Sequence, residues 1–298
     1  MAVPDSTHDA PPERPSLLPL GAALVAVTLW ASAFVGIRYA GRELSPGALT
    51  LGRLLVGSVA LGMFVLWRRE ALPSRRDLPA IVLVGLLWFG VYNAALNEAE
   101  RRVDAGTAAM LVNIGPLLLA VLAGLALREG FPRRLLAGCL VALTGVGLIG
   151  VATSQRGLSV GWGVVLCFVA ALAWAIAVIA QKPVLARISG LQVTWLACTV
   201  GALACLPFGP SLLHEGRAAS ASTIGWAVYL GFGPTAIGFV AWAYALARTS
   251  AGRMGSTTYL VPPIAIALGW AILGEVPPLL ALPGGALCLV GVIIARRA

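Results

Sequence analysis

Long apolar stretches alternate with short polar and charged clusters along almost the whole chain of 298 residues. A helix that crosses the hydrocarbon core of a bilayer needs about 20 predominantly apolar residues. The stretches have about that length and carry few charges, so each is predicted to be a membrane-spanning helix. The ten predicted helices occupy residues 18–37, 49–67, 78–96, 105–127, 135–151, 162–180, 191–208, 224–247, 252–273 and 279–295.

The second half of the chain repeats landmarks of the first half. Pro116 recurs 146 residues later as Pro262, and nearer the N-terminus Trp30 recurs after 144 residues as Trp174. Each half holds five predicted helices, and because five is odd the two halves must cross the membrane in opposite directions. We therefore predict an all-α integral membrane fold: two inverted five-helix repeats, at residues 17–152 and 160–296, around a central cavity. Such inverted repeats are typical of secondary transporters.

Composition and charge support a membrane protein and orient it. Hydrophobic residues make up 59% of the chain and charged residues 11%, whereas about a quarter of the residues of a soluble domain are charged. Fourteen of the 21 Lys and Arg residues fall on one side of the predicted topology, six fall on the other, and Arg53 lies within a helix. The positive-inside rule then places both termini in the cytoplasm. The net charge of +9 is explained by this orientation and does not require a nucleic acid partner.

Three further features of the sequence have structural explanations and do not indicate a catalytic or metal site. Residues 1–16 are polar and rich in proline, so they are predicted to be a disordered cytoplasmic tail. The apolar run 17–30 is preceded by more acidic than basic residues, so we expect it to remain as the first helix and not to be cleaved as a signal peptide. All five cysteines lie within predicted helices without a CxxC pair, which favours small buried residues over disulfides or a metal site.

Several stretches together carry a family resemblance that covers residues from about 18 to 296. They are residues 28–38 (TLWASAFVGIR), Ser45-Pro46 leading to Arg53, Pro116, and the glycines at 138 and 284. In their order, spacing and duplication, these stretches resemble the drug/metabolite transporter superfamily in its ten-helix, EamA-type branch. The resemblance implies a basket-like bundle whose cavity is lined mainly by helices one, three, four, six, eight and nine. It further implies a bacterial inner-membrane exporter of amino acids or similar metabolites.

Aromatic and polar side chains that are predicted to lie deep in the membrane form the candidate substrate cavity. They are Trp30, Trp88, Tyr92, Asn93, Asn113, Trp174, Thr235, Trp242, Ser256, Thr258 and Tyr259. An aromatic cavity with a few amides and hydroxyls suits a neutral, zwitterionic or partly aromatic solute. Ser, Thr and Asn also form ordinary hydrogen bonds between membrane helices, so the sequence leaves open which of these residues line the cavity.

Prolines in the middle of two predicted helices are candidate hinges. Gly115-Pro116 lies near the centre of the fourth helix, and Pro262-Pro263 lies near the centre of the ninth. Each proline removes a backbone donor and leaves a carbonyl one turn earlier without its partner. Because the two sites are related by the repeat, we predict a symmetric pair of hinges. A structural kink in a packed helix is the alternative.

Charged residues within or beside the helices have structural interpretations. Arg53 lies about one turn inside the second helix, and Glu98, at the end of the third, is its predicted partner. We favour a structural or gating ion pair over direct binding of substrate. Glu129 precedes the fifth helix and is expected to cap it.

The sequence provides little from which to build a catalytic site. No Asp or Glu lies in the middle of a predicted helix, and both histidines lie outside the helices. An enzyme, a cofactor and a metal site are therefore not expected. We predict a secondary transporter that works by alternating access, with neutral or aromatic amino acids as the favoured substrates. A multidrug or other organic-solute exporter that uses the same cavity is the alternative. The coupling ion and the oligomeric state are left open.

Overall fold

The structure, a computed structural model, describes residues 17–70, 73–100, 111–153, 162–274 and 279–297. Within these ranges the chain consists of helices joined by short turns, without β-strands. The all-α prediction is thereby confirmed for the described residues. The predicted tail and the first residues of the fourth predicted helix lie outside the described residues.

The first half of the chain contains four stretches of helix before residue 127 and a long helix after it. The elements are α1 (Leu18–Ala40), α2 (Pro46–Arg68), α3 (Leu78–Val84), the π-helix π1 (Gly85–Tyr92), α4 (Asn93–Glu100), α5 (Gly115–Ala126) and α6 (Arg133–Thr153). Since α3, π1 and α4 follow one another directly, they form one rod.

The second half is built in a similar way. Its elements are α7 (Trp162–Val184), α8 (Gly190–Ala204), α9 (Gly209–Ala218), α10 (Ala221–Leu230), π2 (Gly231–Ile237), α11 (Gly238–Ala247), α12 (Ala251–Ser256), α13 (Val261–Leu273) and α14 (Ala281–Arg296). Short 3-10 segments follow α8 at Leu206–Phe208 and α12 at Thr257–Leu260. The rod of α10, π2 and α11 corresponds to the rod of α3, π1 and α4 in the first half.

By length and composition, the described residues contain six helical stretches able to cross a membrane. They are Leu18–Ala40, Pro46–Arg68, Leu78–Leu96, Trp162–Val184, Ala221–Ala247 and Ala251–Ile272. A seventh results if α8 and the segment Leu206–Ala218, which meet at 55°, are counted as one span. Two shorter apolar helices are also present, at Gly115–Ala126 and Leu282–Arg296. The chain is a multi-pass membrane protein, while ten spans in an inverted arrangement remain a prediction.

Serine side chains fix the beginnings of four helices. The N-cap residues are Ser45, Ser189, Ser220 and Ser250. Each hydroxyl oxygen accepts the backbone N–H three residues later, at 3.1–3.4 Å. Such a cap satisfies a helix donor that otherwise lacks a partner and is worth about 1 kcal/mol. The caps define the residues at which α2, α8, α10 and α12 begin.

Carboxylates join the two halves at what we call the first end of the bundle, formed by loops 41–45 and 215–220. Glu43 accepts hydrogen bonds from the backbone N–H of Ser220 at 2.6 Å and from its hydroxyl at 2.9 Å. Glu215 accepts the backbone N–H of Ser45 at 2.6 Å. The bonds from Ser220, that of its backbone first, lower the pKa of Glu43. The two halves are thus joined at the first end by direct hydrogen bonds.

The opposite, second end is formed by residues 69–70, 73–77, 185–189 and 248–250. Arg187 donates from Nε and Nη2 to one oxygen of Asp77, at 2.8 and 2.5 Å. The hydroxyl of Ser189 donates to Glu70. These contacts join the halves at the second end, so the described residues show hydrogen bonds between the halves at both ends.

Lys182 and Glu129 hold the short loop between α11 and α12 at the second end. The Lys182 ammonium donates to the carbonyl oxygens of Leu246 and Thr249, both at 2.5 Å, and so caps the end of α11. Glu129 accepts the backbone N–H groups of Ala251 and Gly252 at 2.8 and 3.3 Å. It therefore caps α12 and not the helix that follows it in the chain, so the expectation for Glu129 is wrong. A carboxylate can stabilise the N-terminus of any helix it reaches in space.

Glycines allow α6 and α14 to pack backbone against backbone. A Cβ atom placed on Gly138 would lie 2.5 Å from the amide nitrogen of Ala295 and 2.5 Å from the carbonyl oxygen of Gly291. A Cβ atom on Gly291 would in turn lie 2.5 Å from the amide nitrogen of Ala142. Small residues at a contact let membrane helices approach closely. Gly138, on α6, and Gly291, on α14, therefore set the distance between these helices.

Replacing Gly138 by alanine tests this contact. Because the obstructing atoms belong to the backbone, the helices must separate, and overpacking of this kind costs about 1–3 kcal/mol. Gly147→Ala is the matched control, since nothing lies within 4 Å of a Cβ atom at that position on the same helix. We expect the melting temperature of purified protein in detergent to fall for Gly138→Ala and to stay or rise for Gly147→Ala. Equal melting temperatures would show that α6 and α14 are not packed this closely.

The ion pair at the second end predicts a dependence of stability on pH. The hydrogen bonds from Arg187, followed by the bond from Ser74, lower the pKa of Asp77. A carboxyl group whose pKa is lowered by folding stabilises the protein above its unfolded pKa of about 3.9 and loses that contribution as the pH falls through the folded value. The difference in melting temperature between wild type and Asp77→Asn should therefore be largest near neutral pH and should shrink below about pH 4. A difference that is independent of pH would contradict this assignment.

Candidate functional site

Four tryptophans from four different helices meet in the interior. Trp30 on α1 lies 5.0 Å from Trp242 on α11 and 6.0 Å from Trp88 on π1, measured between ring centroids. Trp174 on α7 lies 6.2 Å from Trp88 and 6.0 Å from Trp242. The two repeat-related residues Trp30 and Trp174 therefore contact the same pair of rings. We call these four residues the tryptophan cluster.

Two phenylalanines extend the cluster and help to bury it. Phe239 packs against Trp88 at 4.8 Å and Trp30 at 5.2 Å, and Phe89 packs against Phe239 at 4.6 Å. Trp88 is 3% exposed and Trp242 is wholly buried. The cluster is thus a closed aromatic core in this structure, with rings in edge-on and tilted contacts that aromatic pairs prefer.

The indole N–H groups in the cluster differ in their partners. Trp30 donates from Nε1 to the carbonyl oxygen of Pro234 in π2, at 3.2 Å. The Nε1 of Trp242 is buried without a hydrogen-bond partner among the described residues. Leaving a donor unpaired in the interior costs about 1–3 kcal/mol. Trp242 is therefore able to donate a hydrogen bond to an acceptor that enters the cluster.

The π-helices occupy equivalent positions in the two halves. π1 begins at Gly85 and π2 begins at Gly231, 146 residues later. A Cβ atom on Gly85 would lie 2.7 Å from the carbonyl oxygen of Ala197, and one on Gly231 would lie 2.7 Å from the carbonyl oxygen of Arg53. Single-turn π segments inside α-helices are rare and frequent at functional sites. The sequence analysis missed both segments, although the paired glycines at 85 and 231 were a visible signal.

The prolines predicted as hinges lie at breaks between helical segments. Pro116 is in the first turn of α5, directly after a turn at residues 113–114. Pro262 and Pro263 are in the first turn of α13, directly after the 3-10 segment Thr257–Leu260. Proline at a helix start removes no intrahelical hydrogen bond. Gly115 allows Trp174 to approach, since a Cβ atom there would lie 3.1 Å from the Trp174 ring.

Arg53 is bonded to the second half of the molecule. Its Nε donates to the hydroxyl of Thr235 in π2 at 3.1 Å, and Thr235 is fully buried. Tyr92, at the end of π1, is close enough to the guanidinium to interact with it electrostatically. Among the contacts that the structure describes there is no ion pair between Arg53 and Glu98, its predicted partner.

The remaining predicted cavity residues are spread over other environments. Asn93 donates to the carbonyl oxygens of Trp88 and Phe89 at 3.0 and 2.9 Å, so its amide supports π1. Asn113 lies in the turn before α5. Ser256 and Thr258 donate to carbonyl oxygens three residues earlier, each at 2.8 Å.

Tyr259 is buried in a second core together with residues of α6 and α14, among them Cys139 and Cys288. It is separate from the first core, which holds Trp88, Trp174 and Trp242. The residues of α12 and its 3-10 segment are divided between the two cores: Ala251 and Met254 belong to the first core, and Tyr259 and Leu260 belong to the second. Among the described residues, no group of three His, Cys, Asp or Glu side chains could hold a metal ion.

Comparison with known proteins places this architecture in a family. The model of the EamA-like transporter family matches the chain twice, over residues 17–151 and 161–297. The chain belongs to the EamA-like transporter family. The two matches coincide closely with the two halves described above, and the resemblance noted from the sequence is confirmed.

Members of the family that are similar to this chain include two with functional names. A probable terminal-alkyne amino-acid exporter of Streptantibioticus cattleyicolor is 40% identical over 276 residues, which cover 93% of this chain and 92% of that protein. A probable amino-acid metabolite efflux pump of Salmonella typhimurium is 26% identical over 285 residues, covering 91% of this chain and 92% of that protein. A solved crystal structure shares the fold with a TM-score of 0.79 at 21% identity, covering 94% of this chain and 98% of that chain.

The bond between Arg53 and Thr235 yields a prediction about stability. Thr235→Val removes the hydroxyl that accepts from Arg53 in the described contacts and keeps the shape of the side chain. Hydrogen bonds to charged groups contribute about 1.5–3 kcal/mol, so we expect a clear fall in melting temperature. Thr235→Ser keeps the hydroxyl and should retain most of the stability. If the valine and serine variants melt at the same temperature, the bond contributes nothing.

Proposed function

We propose that this chain is a secondary transporter that exports amino acids or similar small metabolites across a bacterial inner membrane. Membership of the EamA-like transporter family supports transport of a small solute. The names of two relatives refer to amino acids, which favours amino acids for this chain as well. The tryptophan cluster, built from both halves of the molecule, is the observation on which the proposal rests.

The proposed topology is ten spans in two inverted repeats with both termini in the cytoplasm. Two pairs of structural features support a repeat. They are the π-helices that begin at Gly85 and Gly231, and the helix caps at Ser45 and Ser189. The two serines cap helices at opposite ends of the bundle, as inversion requires. The distribution of basic residues then favours a cytoplasmic second end.

In the proposed mechanism, the two halves rock about the tryptophan cluster and open one end at a time. Because hydrogen bonds join the halves at both ends, we assign the described structure to a shut intermediate of this cycle. Opening the first end requires breaking the bonds of Glu43 and Glu215, and opening the second requires breaking the Asp77–Arg187 pair. Bends at the π-helices and at the breaks before α5 and α13 would provide the hinges, because these segments already depart from regular α-helix.

The tryptophan cluster would receive the side chain of the solute. Neutral and aromatic amino acids fit this surface, since their apolar parts gain from contact with aromatic faces. The unpaired indole N–H of Trp242 would donate to a carbonyl or carboxylate oxygen of the solute. Asn113 and the backbone groups near Pro116 remain proposed contacts for the polar end.

Counterflow in liposomes tests the proposed function. Purified protein in liposomes loaded with unlabelled phenylalanine and leucine should accumulate external radiolabelled phenylalanine without an imposed ion gradient. Trp88→Ala should reduce the initial rate by about tenfold or more, which corresponds to about 1.4 kcal/mol or more. Trp67→Ala is the matched control, because Trp67 is 75% exposed on the outside of the bundle.

Folding of each variant is checked by its elution profile and melting temperature, and Trp88→Phe replaces Trp88→Ala if the latter does not fold. Transport of lipophilic cations such as ethidium, with no transport of any amino acid, would contradict the proposal and favour the multidrug alternative. Equal rates in the Trp88 and Trp67 variants would remove the tryptophan cluster from the transport path.

A further inference from the structure

We infer that Arg53 receives the carboxylate of the transported solute, an inference that rests on the proposed transport of amino acids. The residue lies within α2, where a permanent positive charge is costly in a membrane helix. The groups around the Arg53 side chain indicate which role its positive charge can have.

Packing of α2 against π2 fixes the position of Arg53. A Cβ atom on Gly231 would lie 2.7 Å from the Arg53 carbonyl oxygen, and one on Gly57 would lie 2.8 Å from Cγ2 of Thr235. The backbone that carries Arg53 is therefore held firmly against π2. A binding group is most effective when its own backbone cannot move.

The guanidinium uses one of its donors in the described contacts and keeps the others. Its Nε donates to Thr235, and this is the hydrogen bond that the structure describes for the side chain. An arginine carries five N–H donors in a planar fork that matches a carboxylate. Among the described side chains, no carboxylate lies within 4.0 Å of the guanidinium. The two terminal nitrogens are thus available for an anionic group.

The groups that accept from the tryptophan cluster and from the guanidinium are neighbours along π2. Pro234 accepts the indole N–H of Trp30, and the next residue, Thr235, accepts Nε of Arg53. Tyr92, which ends the segment that carries Trp88, interacts electrostatically with the guanidinium. A single amino acid could therefore place its side chain on the rings and its carboxylate at Arg53.

The other repeat shows that the positive charge is not needed for packing. Ala197 occupies the position equivalent to Arg53, and its carbonyl oxygen faces Gly85 just as that of Arg53 faces Gly231. The same contact between helices is made with a methyl side chain. Because the fold does not require the charge, a role in binding accounts for an arginine at this one position.

The inference predicts how the protein discriminates between solutes. The probes are phenylalanine, phenylalaninamide, which lacks the negative charge, and phenethylamine, which lacks the carboxylate altogether. Each is tested as a competitor of radiolabelled phenylalanine in binding to purified protein. Wild type should bind phenylalanine about tenfold or more tightly than either analogue, because charge-assisted bidentate hydrogen bonds are strong.

Arg53→Met should lose this preference, with phenylalanine and phenylalaninamide binding within about twofold of each other. Arg53→Gln, whose amide can still donate to Thr235, provides a second uncharged variant if the methionine variant does not fold. Arg53→Lys keeps the charge and should restore part of the preference. Arg217→Met, at an exposed position of the first end, is the matched control and should discriminate as wild type does.

Three results separate this inference from the proposed function. If wild type binds amino acids and the uncharged Arg53 variants keep the wild-type preference for phenylalanine over its amide, Arg53 is not the carboxylate site. A loss of stability in Arg53→Met and Glu98→Gln alike, with unchanged preference in both, would instead support a structural ion pair and overturn the inference. If wild type binds none of the amino acids, the proposed function itself fails.

Discussion

Backbone amides and carbonyls that enter a bilayer must find hydrogen-bond partners within the protein. This chain interrupts its helices at two π segments and at the breaks before α5 and α13, and each interruption lies against other helices. Gly85 and Gly231 make the π segments possible, because they let a neighbouring backbone approach where any side chain would collide. The π segments are thereby kept in the interior next to the tryptophan cluster, and the break before α13 lies at the second core. The position of the candidate site follows from this constraint.

The same irregularities connect the fold to the proposed transport. A regular α-helix bends little, whereas π segments and helix breaks supply places where a rod can change direction. Both ends of the bundle are held by a few hydrogen bonds between carboxylates and helix starts, such as Glu43 with Ser220 and Glu129 with Ala251. Such contacts are modest in energy and exchangeable with water. An aromatic centre between two ends whose joining hydrogen bonds can break is compatible with alternating access.

Much of the architecture could be predicted from the sequence because it depends on local patterns. Apolar runs of sufficient length gave the helices, and the duplicated landmarks assigned Trp30 and Trp174 to one site, where the structure brings them into contact with the same two rings. The π segments were missed because a π turn is stabilised by tertiary packing, and the paired glycines at 85 and 231 do not by themselves distinguish a π turn from close packing of a regular helix. The expectation for Glu129 failed for a related reason: the helix nearest in sequence is not the helix nearest in space.

The central claim is that the two ends open in alternation around the tryptophan cluster. Spin labels at positions 42 and 217 report on the first end, and labels at 75 and 248 report on the second; all four native arginines are exposed. The five native cysteines are buried, which favours selective labelling of the added sites. Pulsed dipolar spectroscopy in nanodiscs, with and without phenylalanine, should show one distance lengthening as the other shortens. Two distances that lengthen together, or that stay fixed while phenylalanine binds, would contradict the account.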